Sequence, residues 1–249
     1  MCLIVVGWRV HPDYPLVVAA NRDEFYARPT AALGRWPEAP EIIGGRDLEA
    51  GGTWLGISES GRFAAVTNVR EPGMVKGEQS RGALTKGFLS TRLSAAEYVA
   101  KIDGSQYSGF NLLLGDGEHL IYCSNRDGKP RLLTPGIYGL SNHLLDSPWP
   151  KLVAARERFA KALPRLPDES AFFELLADQT IVADENLPRT GVPMEWERLL
   201  SAIFVKSESY GTRASTVLRK SADGNITVHE NSFGPHGLPL QSSVISTSV

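Results

Sequence analysis

Only two of the 249 residues are cysteines, Cys2 and Cys123, which leaves no disulfide framework and no paired-cysteine half-site for zinc. The five histidines, His11, His119, His143, His229 and His236, show no HxxxH spacing, so no metal is expected. No apolar stretch approaches the roughly 18 to 20 residues that span a bilayer. The apolar opening run Cys2-Leu3-Ile4-Val5-Val6-Gly7 lacks the charged flank and cleavage site of a secretory signal. These absences lead us to expect a cytoplasmic chain without a transmembrane segment. Neither sign of charge dominates, with 26 basic against 28 acidic side chains, and no basic block is present to follow a phosphate backbone. Nucleic acid is therefore not an expected partner. Internal repeats, long linkers and glycine-rich phosphate loops are also missing, so residues 1–249 read as one domain.

What is present starts at the second residue. Cysteine is small enough for methionine aminopeptidase to act beside it, and a chain beginning at Cys2 would carry a thiol and a free α-amine on one residue. The amine has a reference pKa of about 7.7 to 8.0 and the thiol about 8.5, so near neutral pH the amine can take the thiol proton. A nucleophile and its base then share one residue. The structural alternative is a cysteine that packs as a small hydrophobe.

Residues 2–8 and 16–20 are apolar and β-branched around His11-Pro12-Asp13-Tyr14-Pro15, which predicts an opening hairpin. Prolines 29, 37 and 40 and the pairs Gly44-Gly45 and Gly51-Gly52 predict a loop-rich stretch up to Thr53. Residues 53–57 and 62–68 read as a second hairpin, giving four strands before the first helix. Helices are predicted over 80–89, after the capping box Ser94-Ala95-Ala96-Glu97, over 149–163, 169–177 and 195–204. Strands are predicted over 110–114, 119–123, 131–133 and 138–141, and a last hairpin pairs 212–218 with 226–229. This order fits helices packed outside stacked, mostly antiparallel sheets.

Four polar residues, Asn21-Arg22-Asp23-Glu24, end the second predicted strand, and antiparallel pairing with the first brings them beside Cys2. A carboxylate there can orient the terminal ammonium and a guanidinium can favour the thiolate. Asp23 and Arg22 suit those roles. Neighbours on a strand point to opposite faces, so both cannot face Cys2, and Asp23 is the preferred partner of the amine. Without Cys2, the same four residues would read as a turn cluster.

Together with Met1-Cys2, the strings Asn21-Arg22-Asp23-Glu24, Gly51-Gly52-Thr53-Trp54-Leu55-Gly56, Thr67-Asn68, Ser80-Arg81-Gly82, Leu140-Ser141-Asn142 and Tyr210-Gly211-Thr212-Arg213-Ala214-Ser215-Thr216-Val217 resemble the NRDE family, which includes the transport and Golgi organisation 2 proteins. The resemblance covers essentially the whole chain. It implies an α+β fold, the four-layer αββα sandwich of N-terminal-nucleophile hydrolases, with more distant similarity to cysteine-dependent penicillin V acylases and bile salt hydrolases. By that resemblance Cys2, Arg22, Asp23, Asn142 and Arg213 take catalytic places.

An oxyanion needs fixed donors, and Asn68 and Asn142 are both candidates, each with the alternative of an ordinary turn asparagine. Asn21 and Trp54 join Asn68 as substrate-binding candidates. Arg213 is expected to bind a substrate carboxylate or to brace Asp23. The expected activity is hydrolysis of a non-peptide amide, an acyl-amine or lipid-like amide, through an acyl-Cys2 intermediate that needs no cofactor. The alternative is a non-catalytic protein that binds and traffics haem, lipid or acyl-CoA on the same scaffold, with Cys2 or a histidine as the axial donor to haem, because no CxxCH attachment site exists.

Overall fold

The computed structural model describes residues 2–74 and 77–249. Among them, two sheets stack face to face. The first has six strands: β1 (Cys2–Trp8), β2 (Leu16–Phe25), β10 (Gly136–Leu140), β11 (Tyr210–Lys220), β12 (Asn225–Phe233) and β13 (Pro239–Ser248), in the order β10-β1-β2-β11-β12-β13. The second runs in sequence order through β3 (Thr30–Trp36), β4 (Ala39–Asp47), β5 (Leu55–Ser58), β6 (Phe63–Asn68), β7 (Phe110–Gly115), β8 (Leu120–Ser124) and β9 (Arg131–Leu133). All ladder pairings between these strands are antiparallel.

Strand alternation sorts the apolar residues into three layers of core. Ile4, Val6, Val18 and Ala20 meet Ile43, Leu55 and Leu113 between the sheets. The opposite face of the first sheet, with Leu3, Val5, Val17 and Ala19, is covered by α3 (Pro150–Ala162) and α4 (Ser170–Leu176) through Leu152, Phe159 and Phe172. The outer face of the second sheet is covered by α1 (Gly82–Leu89) and α2 (Ala95–Val99), through Leu84, Phe88 and Val99. The result is the expected αββα sandwich. At α2, Ser94 and Glu97 form the predicted reciprocal capping box. No helix among the described residues is long and apolar enough to cross a membrane.

Three expectations need correction. The loop-rich stretch before Thr53 contains the hairpin β3-β4, so six strands precede the first helix. Its prolines sit before β3, in the turn and near the start of β4, where no ladder donor is lost, and Gly44 is needed because a Cβ there would lie 2.7 Å from the Leu55 carbonyl. The last helix, α5 (Met194–Leu199), stops five residues early, where the chain turns so that the Phe204 amide reaches the Asp178 carbonyl at 2.7 Å. The last hairpin also gains a third strand, because the polar tail pairs along β12 as an exposed edge.

Candidate functional site

The second strand does not stop at Ala20. It continues through the polar tetrad because each buried polar group there meets a partner. Asn21 donates to the carbonyls of Leu176 at 2.8 Å and Ile203 at 2.9 Å, and accepts from Ser215. Asp23 accepts from Thr212 Oγ1 at 2.7 Å. The ladder between β1 and β2 then pairs Cys2 directly with Arg22.

That register decides which neighbour shares a face with the thiol. Cys2 and Arg22 continue the rows Ile4-Val6 and Ala20-Val18, which point between the sheets, whereas Asp23 continues the row Ala19-Asn21 toward the helices. The expectation that Arg22 would be the one turned away is thus reversed. Cys2 is 9% exposed and borders a cleft of about 400 Å³, whose wall also includes Arg22, Asp23, Trp54, Asn68 and Arg81. Asp23 reaches the cleft from the other face, at the end of the ladder.

Arg22 is held on all sides. Its guanidinium stacks over Trp54 at 4.3 Å, donates to Thr30 Oγ1 at 3.2 Å and lies 3.9 Å from both Glu24 and Asp47. Asp47 is shared with Arg28, whose Nε donates to it at 2.7 Å. One wall of the cleft is therefore an ion-pair network.

On the helix side, Lys151 near the start of α3 is buried and donates from Nζ to the Leu200 carbonyl at 2.7 Å. Burial pushes its pKa down to about 8, partly offset by the Asp23 carboxylate. Burial likewise raises the pKa of Asp23, against the pull of Lys151, the Thr212 hydroxyl and Arg22. The Cys2 thiol is raised first by burial and further by Asp23, while Arg22 lowers it. A thiol in this setting needs a base to ionise.

The two asparagines have different places. Asn68, at the end of β6, borders the cleft. Asn142 is fully buried, and its side-chain amide donates to Asn68 Oδ1 at 2.8 Å and to the Asn68 carbonyl at 3.1 Å. Holding Asn68 by its oxygen turns the Asn68 amide nitrogen away from Asn142. Asn142 thus positions Asn68 and does not itself reach the cleft. Beside it, Ser141 donates to the Cys2 carbonyl at 3.0 Å and fixes the thiol-bearing residue.

Asn21 and Arg213 fall outside the cleft. The Asn21 amide is committed to the helix layer, as above. Arg213 sits at a register shift between β11 and β2, donates to the Phe25 and Arg28 carbonyls and Thr30 Oγ1, and borders a second cavity of about 220 Å³ beyond the Arg22–Trp54 pair. Bracing of Asp23 falls to Thr212 instead. The bulge is the reason, because it moves Arg213 out of the alternation that Thr212 keeps. The sequence alone points to no role for Lys151 or Arg81. Lys151 carried no signal there, whereas Arg81 stood inside the Ser80-Arg81-Gly82 string.

The motif strings therefore meet in space around one cleft: Thr53 and Trp54, Thr67 and Asn68, and Ser80 to Gly82 all line it. A family model described as Transport and Golgi organisation 2 matches residues 1–235. The chain belongs to this family. It is 38% identical to the Transport and Golgi organization protein 2 homolog of Bos taurus, across 94% of this chain and 93% of that protein. The Homo sapiens homolog is 37% identical with the same coverage, and the Drosophila melanogaster protein 26% across 95% of each. Among solved structures, a C2A mutant of the conjugated bile acid hydrolase from Clostridium perfringens superposes with a TM-score of 0.54 at 10% identity, over 98% of this chain and 92% of that one. A Caenorhabditis elegans ortholog of N-acylethanolamine-hydrolyzing acid amidase gives 0.50 at 13% identity, over 87% and 92%. These likenesses establish that this Transport and Golgi organisation 2 family member has the N-terminal-nucleophile hydrolase fold.

Proposed function

We propose that the protein is a cysteine N-terminal-nucleophile amidase acting on a non-peptide amide. The observation that carries this reading is the placement of Cys2 at the start of β1, bordering a cleft, with Arg22 directly across the ladder and Asn68 on the facing sheet. Both solved neighbours are named as hydrolases of amide or conjugate substrates, which supports the same chemistry here.

In this reaction Met1 is removed and the freed α-amine of Cys2 takes the thiol proton. The thiolate adds to the amide carbonyl, and the oxyanion accepts a hydrogen bond from the Asn68 amide. The carbon–nitrogen bond then breaks as the ammonium returns its proton to the departing amine, leaving a thioester on Cys2. Water, deprotonated by the same amine, cleaves the thioester to release the acid and regenerate the thiol. Arg22 favours the thiolate electrostatically, and Asp23, held by Thr212, faces the amine.

Haem or lipid carriage draws less support from this site. The histidines do not border the cleft, and ion pairs line it where an apolar ligand would need apolar walls. The test is intact-mass analysis of the purified protein, then of protein mixed with a panel of acyl amides. The reading expects loss of Met1 and an acyl adduct on Cys2 that Cys2→Ala abolishes. Retained Met1, or amide turnover that survives Cys2→Ala, would refute it.

A further inference from the structure

Arg81 takes no part in the acyl-transfer steps, yet it lines the same cleft as Cys2. It directly precedes α1 and borders both the Cys2 cleft and an adjoining cavity of about 350 Å³ walled in part by Val69, Pro72 and Met74. Asn68, the oxyanion donor, borders the same two spaces. A ligand whose scissile carbonyl lies at Asn68 and that extends into the adjoining cavity therefore runs along a border to which Arg81 also contributes.

The charge around Arg81 differs from that around the other arginines of the cleft. Arg22 lies 3.9 Å from Glu24 and from Asp47, and Arg28 is paired with Asp47 at 2.7 Å and Glu49 at 3.1 Å. Among the described residues Arg81 has no carboxylate within ion-pair distance; the Cys2 thiol, Glu24 and Glu71 act on it only from farther away, and its hydrogen bond from Nη1 to the Gly109 carbonyl at 3.2 Å uses one of five donors. The planar fork of a guanidinium fits a carboxylate with two parallel hydrogen bonds.

Building on the amidase reading, we propose that Arg81 binds a carboxylate on the amine half of the substrate, so that the cleft selects N-acyl amino acids over neutral N-acyl amines. The acid of such a compound lies within one residue's length of the scissile bond, which matches the shared border of Arg81 and Asn68. In the adjoining cavity its acyl chain meets Val69, Pro72 and Met74, set among the charged Arg70 and Glu71.

The test reads binding, not turnover. Cys2→Ala protein is titrated by calorimetry with N-decanoylglycine and with N-decanoylethanolamine, which differ in the carboxylate, at an ionic strength of about 0.15 M. We expect the acid to bind about tenfold tighter, Arg81→Gln to erase that preference, and Arg81→Lys, which keeps the charge, to retain part of it. Thermal melts of the variants check their folding. Equal affinity for the two compounds, a preference that persists in Arg81→Gln, or binding of neither compound overturns the proposal. A shifted pH profile of Cys2 alkylation in Arg81→Gln, with ligand preference intact, would assign Arg81 to the thiol and also overturn it. An acyl adduct formed on Cys2 from the neutral amide and indifferent to Arg81→Gln would leave the hydrolase reading standing and remove the selectivity alone.

Discussion

Cys2 and Arg22 are direct partners in the β1–β2 ladder and project from the same face, while Asp23, one residue on, projects from the other. The thiol thus sits between a cation on its own face and a carboxylate reaching around the strand end. Their effects oppose each other: Asp23 raises the thiol pKa and Arg22 lowers it, on top of the dominant rise from burial. Arg22→Gln removes the charge that favours thiolate, so its alkylation profile at Cys2 moves to higher pH. Asp23→Asn removes the opposing charge and moves the profile to lower pH. Labelling rates of Cys2 against pH, read by intact mass, check both. Shifts in the same direction would show that the charges do not act on the thiol as placed here.

The Asn142–Asn68 pair predicts a graded loss of activity. Asn68→Ala removes the donor itself, and kcat should fall about 100- to 1000-fold, with a further cost of about 1 kcal/mol in stability because the buried Asn142 amide loses its Oδ1 acceptor. Asn142→Ala leaves the donor present but free to turn, so kcat should fall less, while the unpartnered Asn68 oxygens cost about 1 to 3 kcal/mol of stability. Chemical denaturation and steady-state kinetics on both variants separate donor from positioner. Equal kinetic losses would argue that Asn142 contacts the substrate.

The layers and most elements were legible in the sequence because composition and capping are local signals: the continuous apolar, β-branched run of β1 and the Ser94–Glu97 box each specify themselves. The hairpin β3-β4 was not, since its prolines and glycines mimic a loop and only the approach of Leu55 and Trp54 explains them. The site was legible as a set of residues and illegible as a geometry. Which of Arg22 and Asp23 faces Cys2 depends on a one-residue register. Whether Asn68 or Asn142 reaches the cleft depends on contacts between segments 74 residues apart. Lys151 showed nothing beyond a helix position until Asp23 was brought beneath it.

The two glycine motifs predict a steric test. A Cβ on Gly52 would lie 2.4 Å from the backbone of Gly82, so the loop before Thr53 and the start of α1 touch backbone to backbone along the cleft rim. Gly52→Ala must push these walls apart, and a loss of about 1 to 3 kcal/mol with reduced turnover is expected. Gly51→Ala meets no atom within 4 Å but carries a positive φ of 72°, so it should cost about 1 to 2 kcal/mol through backbone strain and leave the cleft shape unchanged. Denaturation midpoints together with KM and kcat distinguish the two effects. Unimpaired turnover in Gly52→Ala would show that the rim contact does not shape the cleft.

Lys151 predicts a pH dependence of stability with a definite sign. Its ammonium titrates near its ordinary 10.5 in the unfolded chain but near 8 in the folded one, because burial disfavours the charge. Between those values the unfolded chain holds more protons than the folded protein, so stability rises with pH through that window. Below about pH 8 the burial cost is fully present, and its release by deprotonation is worth at most about 3 kcal/mol. Lys151→Met keeps the buried stem and removes the titration, so its stability should be the flatter of the two over this range. Urea denaturation of both proteins at intervals from pH 7.5 to 10.5 measures the difference, with the upper limit set by the unfolded lysine. Parallel curves would mean that Lys151 does not change charge there, and that the ammonium facing Asp23 is held by the carboxylate more strongly than burial opposes it.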